Sequence, residues 1–301
     1  MDLDECRPFR AADAAKAGIS RRRLLSPAYR RMVRGVFVAA GAADDPLNDA
    51  RAALLVAGSG AFVSHHGAAR LYRAVVPEAS VLHVSVPLRR HRSRVPEVMV
   101  HASARQPTVF RGLPVTSPVD TFLDLVGYLG LVDLVTLGDS LVGRGRTTPD
   151  ALVAAASGMT RHRAKAVRAA GLVRAGVDSA MESRTRLLLV LGGLPEPEVN
   201  ITFRSPLGDV LRRLDMGYAA HRLAVEYDGR QHAESISQWE GDVDRREEFA
   251  SLGWRLVTVL AKDLFRTPGQ TLDRVVAAMR QVGMNVPRLR DDWRQHFPGR
   301  R

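Results

Sequence analysis

A single cysteine, Cys6, stands among the 301 residues, and its isolation removes whole classes of protein. No intramolecular disulfide framework can form, and no zinc site built on several thiolates. Lysine is nearly missing too. Of 44 basic residues only Lys16, Lys165 and Lys262 are lysines, so the positive charge is almost wholly guanidinium. No uninterrupted apolar run reaches the roughly 18–20 residues a transmembrane helix needs. The opening Met1-Asp2-Leu3-Asp4-Glu5-Cys6 is acidic and lacks the apolar stretch of a secretory signal.

What is present is a globular composition, 46% hydrophobic and 25% charged, with a net charge of +12 and a pI near 10.9. Such a balance favours a polyanionic partner, nucleic acid or an anionic membrane surface. With no membrane span expected, the reading is a cytoplasmic protein that faces DNA or RNA and has no membrane partner. The length suggests two or three domains, because single cores seldom grow past about 250–300 residues.

The first forty residues alternate short helices and basic turns. Phe9 to Ala17 has helical patterning and stops at Gly18. Ser20 is placed to cap a second short helix over Arg21–Leu25, which Pro27 limits. Tyr29 to Val38 then reads as a two-stranded wing turning near Gly35. The spacing predicts a winged helix-turn-helix over residues 1–44. Ser20, Arg21, Arg22 and Arg23 would lie on the groove-facing helix, with Arg30, Arg31 and Arg34 on the wing against phosphates. The segments Ala17-Gly18-Ile19-Ser20-Arg21-Arg22-Arg23-Leu24-Leu25 and Arg30-Arg31-Met32-Val33-Arg34-Gly35-Val36-Phe37-Val38 resemble the winged-helix domain of the AbiEi abortive-infection antitoxins. That resemblance implies promoter DNA as partner, with a cognate toxin as a further one.

Residues 45–150 mix helices with strands at Val81–Val86 and Val98–His101. Leu113-Pro114-Val115-Thr116-Ser117-Pro118 leads into further helices. This order is similar to the small α/β domain that follows the winged helix in AbiEi-like proteins. His65, His66, His83, His91 and His101 fall on separate elements with no metal-ligand spacing, so they read as capping and surface histidines. The loop Arg89-Arg90-His91-Arg92-Ser93-Arg94 is a candidate second phosphate contact, or a plain exposed loop. Residues 151–178 read as a basic helical connector, and residues 286–301 as a basic tail without periodicity.

From 179 to 285 the pattern is α-β-β-β-α-β-α, a three-layer α/β sheet in expectation. Leu211 to Asp228 reads as a β-hairpin. A turn centred between Ala220 and His221 sets Asp215 across from Glu226, and Asp228 shares the face of Glu226. Three acids gathered on one patch of sheet call for a cation. The carrying residues are Ser179-x-x-Glu182, Leu194-Pro195, Asp215, Val225-Glu226-Tyr227-Asp228-Gly229, His232, Trp239-x-x-Asp242-x-x-Arg245 and Gly253-Trp254-Arg255. Together they resemble the restriction-endonuclease-like PD-(D/E)xK superfamily, and more closely its branch related to the very-short-patch repair endonuclease.

That resemblance implies a metal-dependent phosphodiesterase acting on DNA, with a repair partner as the alternative to the toxin. Asp215 and Glu226 would hold Mg²⁺ or Mn²⁺ with the Tyr227 carbonyl, and Glu182, Asp228 and His232 would complete the catalytic group. One position departs from the pattern: Asp228 stands where the superfamily has lysine, and Lys262 and Arg245 are the candidates for the missing cation. Each residue also has a plainer role to fill. Ser179 with Glu182 is a capping box, Asp242 with Arg245 a helix-surface pair, and Arg212, Arg213 and Arg222 are at hand to neutralise Asp215 and Glu226. The alternative function is therefore a non-catalytic regulator or antitoxin with a degenerate nuclease domain. Action on RNA stays open, because phosphate contacts look alike.

Overall fold

The structure is a computed structural model that describes residues 3–87, 95–205, 207–229 and 249–299. The chain divides into two compact units. One is made of residues 1–129 and 144–172, the other of 130–143 and 173–301.

In the first unit, β1 (Phe9–Arg10), β2 (Tyr29–Val33) and β3 (Val36–Ala39) form an antiparallel sheet in the order β1-β3-β2. The helices between them are short, α1 (Ala11–Lys16) and α2 (Arg21–Leu24). Gly18 joins them at φ +79°, in the left-handed region that glycine adopts freely. Ser20 caps α2 as expected, its Oγ accepting the Arg23 N–H at 3.2 Å.

This small element shares its core with the next stretch of chain. Val33 and Val36 pack in one cluster with Ala52, Ala53, Val84, Val86 and Val98, so residues 1–44 are not a unit apart. The partners of that cluster lie on α3 (Pro46–Ala57), β5 (Leu82–Val86) and β6 (Val98–Ala102). With β4 (Phe62–Val63), β7 (Thr108–Phe110) and β8 (Leu113–Val115) the strands make a five-stranded mixed sheet, β6-β5-β4-β8-β7. α4 (His65–Leu71) and α5 (Pro118–Leu125) complete this part. α7 (Pro149–Ser157) and α8 (Arg163–Leu172) pack together within the same unit. The expected connector over 151–178 is thus mostly folded structure: Leu152, Ala156, Ala166, Ala169 and Ala170 are buried.

The second unit begins earlier than the sequence suggested, with α6 (Leu131–Gly143) packed on α9 (Ala180–Leu191). The link between them is ionic and buried. Arg186, wholly inaccessible, reaches Asp139 and Glu196 at 3.0 Å each. The Asp139 carboxylate also accepts from Ser183 Oγ at 2.8 Å and from the Arg174 backbone at 2.7 Å. Removing one member would strand a buried charge, at a cost of about 3–5 kcal/mol.

β9 (Glu198–Arg204), β10 (Val210–Tyr218), β11 (Leu223–Tyr227) and β12 (Arg255–Val259) form a sheet in the order β12-β11-β10-β9. β11 and β12 run parallel and the other pairs antiparallel. The helix expected from Gln238 lies almost wholly outside the described residues. α10 (Ala261–Phe265) and α11 (Pro268–Gln281) follow β12. The tail is not loose: Trp293 and Phe297 are buried and the Arg290 N–H donates to the Gly192 carbonyl at 2.9 Å. Two aromatic anchors at a single 3₁₀ turn hold it, which no periodicity could announce.

Candidate functional site

The hairpin of the second unit has the expected register. Met216 pairs with Val225, Gly217 with Ala224 and Tyr218 with Leu223, across a 3₁₀ turn at Ala219–His221 that ends on Arg222 in the left-handed region. One further step sets Asp215 opposite Glu226. There a side chain takes over from the ladder: Asp215 Oδ2 accepts the Tyr227 backbone N–H at 2.9 Å. An aspartate on one strand is thereby fixed against the next. Asp215, Glu226 and Asp228 are all half-buried. Past the end of β11, the Asp228 N–H donates to the Val259 carbonyl at 2.9 Å.

Glu182 approaches the same patch from α9. Ser179 Oγ accepts the Glu182 N–H at 3.1 Å, and Glu182 Oε2 accepts the Asp178 N–H at 3.1 Å. The capping role anticipated for this pair is therefore present, with the glutamate reaching one residue beyond the N-cap. Burial pushes the Glu182 carboxyl above its usual range, and the negative charges of Asp215 and Asp178 push the same way, while the hydrogen bonds from Ser179 and Asp178 oppose. The Asp215 charge is thus felt at Glu182 across the gap between β10 and α9.

The neighbouring arginines are engaged elsewhere as well: Arg213 pairs with Asp178 at 2.7 Å, Arg222 donates to the Leu252 carbonyl at 3.3 Å and Arg212 to that of Leu211 at 3.0 Å. Lys262 is exposed on α10, three residues beyond the end of β12. Because β12 runs parallel to β11, Lys262 leaves the sheet at the end where Asp228 lies. His232, Trp239, Asp242 and Arg245 lie outside the described residues, as does the Arg89–Arg94 loop.

On the first unit, Arg21, Arg22 and Arg23 are exposed along α2, and Arg31 and Arg34 are exposed on the β2–β3 hairpin. Arg30 is the exception. It is half-buried, donates to the Ala43 carbonyl at 3.3 Å and sits 3.6 Å from Asp44, because its strand runs beside the 40–45 turn.

Sequence reasoning missed one cluster altogether. The histidines expected at the surface are gathered in the first unit: His65, His66 and His83 are buried, and His101 is half-buried beside them. The parallel register of β5 and β6 pairs Ser85 with His101, and alternation puts His83 on the face of Ser85. β4 feeds the first turn of α4 onto that face, with the Ser64 N–H on the His83 carbonyl at 3.4 Å. Gly67 lets the helix approach. A β-carbon there would sit 3.0 Å from Val63 Cγ1 and 3.2 Å from the His83 carbonyl.

In the nest the rings of His65 and His101 stack at 3.8 Å, and His83 Nδ1 lies 2.9 Å from His101 Nε2. Tyr128 stands edge-on to His65 at 5.1 Å, and its hydroxyl reaches His101 Nδ1 at 3.4 Å. His65 Nδ1 is 2.9 Å from Ser64 Oγ, which also accepts from Ser85 Oγ at 2.9 Å. Burial lowers His65 to about 2 and His83 to about 4, and it lowers His66 and His101 as well, so these rings are neutral near pH 7. Asp124, 3.9 Å from His65 Nδ1 and 3.2 Å from Arg105, is raised by burial to about 7. The available signal was His83-x-Ser85 on one strand and His101 on another, which converge only once the parallel register is known.

No helix among the described residues is long and apolar enough to cross a membrane. No protein-family model matches the chain. Two relatives from strains of Mycobacterium tuberculosis, the uncharacterized proteins MT2308 and Rv2248, are each 30% identical over 107 residues. The match covers 36% of this chain and 39% of each relative, so it speaks for a shared segment and carries no activity with it.

Proposed function

We propose that the protein binds DNA through the basic helix and hairpin of its first unit and hydrolyses phosphodiester bonds at the acidic hairpin of its second. The observation that carries the reading is the register of the β10–β11 hairpin, which brings Asp215 across from Glu226 with the Asp215 carboxylate fixed by the Tyr227 N–H, and with Glu182 near enough to feel the Asp215 charge. The exposed arginines of α2 and the β2–β3 hairpin support the DNA-facing half, read as a winged helix.

The residues fit a hard divalent cation. Asp215 and Glu226 would hold Mg²⁺ or Mn²⁺, which when bound supplies charge to a scissile phosphate and lowers the pKa of a coordinated water. The chain itself does the positioning. The Tyr227 amide orients the Asp215 carboxylate, and the hairpin register holds Glu226 opposite. Glu182, with its raised pKa and Asp215 nearby, is placed to take or hold a proton at the rim of the patch. His232, Arg245 and Lys262 are the candidates for the acid and the cation that Asp228 does not provide.

A second reading has an observation of its own. Asp228 occupies the superfamily's lysine position, and Glu182 is already used as a cap. On that reading the second unit is a binding module, and the protein is a DNA-binding regulator.

Cleavage of supercoiled, single-stranded and mismatched DNA in Mg²⁺ or Mn²⁺ separates the two. The wild type should cut at least one substrate and Asp215→Ala none. Intact binding without cleavage of any of the three favours the regulator. For the DNA-facing half, alanine at Arg21, Arg22 and Arg23 should flatten the salt dependence of binding by about 0.9 in log–log slope for each phosphate contact removed. An unchanged slope takes the basic helix out of the interface.

A further inference from the structure

The histidine nest of the first unit lies outside the proposed nuclease reading. A core at that place would be simpler in leucine and valine, as in the neighbouring cluster of Val84, Val86 and Val98. Instead four imidazoles and a tyrosine meet, and one of their polar atoms, His66 Nδ1, is buried with no hydrogen-bond partner among the described residues. Buried polar groups are costly unless something satisfies them. The backbone is also held out of its usual range: His65, the first residue of α4, sits at φ +51°, a strained conformation for a residue other than glycine. Strain of this kind persists where the surroundings fix a side chain in place.

Three of these side chains can reach one point. His65, His83 and His101 each offer a ring nitrogen, and the three nitrogens lie within 4.8 Å of one another. Around a tetrahedral zinc ion with bonds of about 2.0–2.1 Å, ligand nitrogens stand about 3.3 Å apart. His83 Nδ1 and His101 Nε2 are now 2.9 Å apart across a hydrogen bond, so an ion replacing the shared proton needs them to part by only a few tenths of an ångström. His65 must tilt out of its stack on His101 to join them.

The surroundings supply what such ligands need. Ser64 Oγ holds His65 Nδ1, leaving Nε2 as the ligand nitrogen, and Asp124 stands behind it at 3.9 Å, braced by Arg105 and Asp120 packed on the same guanidinium. Tyr128 braces His101 from its other nitrogen. Partners of this kind orient metal-bound imidazoles and tune their basicity. One side of the cluster opens on a cleft of about 520 Å³, lined among others by His65, His101, Asp124, Tyr128 and His162. Three protein ligands with access on the fourth side is the arrangement of a reactive, not a closed, metal centre.

We propose that His65, His83 and His101 bind one divalent transition-metal ion of the zinc class, with its fourth coordination position open to the cleft. Imidazole donors select such ions over magnesium, which separates this site chemically from the carboxylate patch of the other unit.

The test uses the untagged full chain, stripped with chelator and titrated with Zn²⁺ by calorimetry and with Co²⁺ by its visible absorption. The expected result is one ion per chain at the histidines, marked by the intense d–d bands of a low-symmetry nitrogen site. His101→Gln, on a half-exposed edge strand, should weaken binding by at least about 100-fold, and Asp124→Asn by about 10-fold. Asp215→Asn should leave the intense Co²⁺ bands unchanged. Imidazole ¹⁵N resonances of the wild type give a reading free of any folding defect, because Zn²⁺ should shift those of His65, His83 and His101 together. A folded wild type that takes up neither ion, or that binds one while those three resonances stay put, overturns the site.

Discussion

The acidic hairpin of the second unit and the histidine nest of the first both gather ionisable side chains, and they do so by opposite routes. Asp215 and Glu226 are eleven positions apart in one hairpin, half-buried, and their meeting is written in a local register. His65, His83 and His101 come from a helix start and two parallel strands, are mostly buried, and meet only through tertiary packing. The first group presents carboxylate oxygens at the surface of a sheet. The second has lost its charges to burial and presents neutral nitrogens. On the readings proposed above, one unit would take a hard, oxygen-seeking ion and the other a softer ion with nitrogen ligands.

The sharpest way to break this contrast is to disable each cluster and read both. Glu226→Gln should lower metal-dependent DNA cleavage by at least about 1,000-fold, equivalent to about 4 kcal/mol in the barrier, and leave Co²⁺ uptake by the histidines unchanged. His83→Gln should do the reverse. Cleavage assays and Co²⁺ absorption on the same two preparations decide it. If either substitution moves both readouts, the clusters are not independent.

The difference in route also explains what the sequence revealed. Hairpin register follows from a turn and the alternation beside it, so Asp215 opposite Glu226 could be read from Leu211–Asp228 alone. Helix limits set by Pro46, Pro118 and the serines at 20 and 179 were equally legible, because caps are local chemistry. The nest could not be read that way. A parallel pair such as β5 and β6 needs a crossover of its own, and nothing near His83 or His101 states which residues will face each other. Nor did composition show that α6 would join the second unit: the link is the buried pair of Asp139 and Arg186, separated by 47 residues. Trp293 and Phe297 likewise gave no period, since one 3₁₀ turn is too short to have one.

Acid provides the next test, and the sign differs within the nest itself. His65 and His83, lowered to about 2 and about 4, bind protons less readily folded than unfolded. Their contribution to stability is complete above the unfolded value near 6.5 and is lost as pH falls through the folded values. His66 and His101 shift in the same direction. Asp124, raised to about 7, opposes them: folded, it takes up its proton first, so its share of stability grows as pH falls from 7 towards 3.8. Four groups outweigh one, and the first unit should lose on the order of a few kcal/mol between pH 6.5 and 4. Hydrogen exchange measured across that range should show β5, β6 and α4 opening before the β10–β11 hairpin. Equal protection of both at pH 4 would remove the distinction between a neutral nest and a charged patch.

The smallest effect bears on Glu182, which belongs to the cap and to the acidic patch at once. Its backbone N–H is satisfied by Ser179, and its carboxylate holds the Asp178 N–H. Ser179→Ala removes the cap and should cost about 1 kcal/mol, read as a shift of the denaturant midpoint of the second unit. It also removes a hydrogen bond that favours the charged carboxylate, so the Glu182 pKa should rise further. If Glu182 serves only the helix end, cleavage at pH 7 stays as it was and stability alone falls. If it handles a proton at the patch, the acidic limb of the pH–rate profile moves to higher pH while the midpoint shift stays near that of a lost cap. Glu182→Gln completes the comparison, because the amide oxygen can still accept from Asp178 but cannot ionise. Retained stability with lost cleavage then assigns the carboxylate to the chemistry, and loss of stability alone assigns it to the helix.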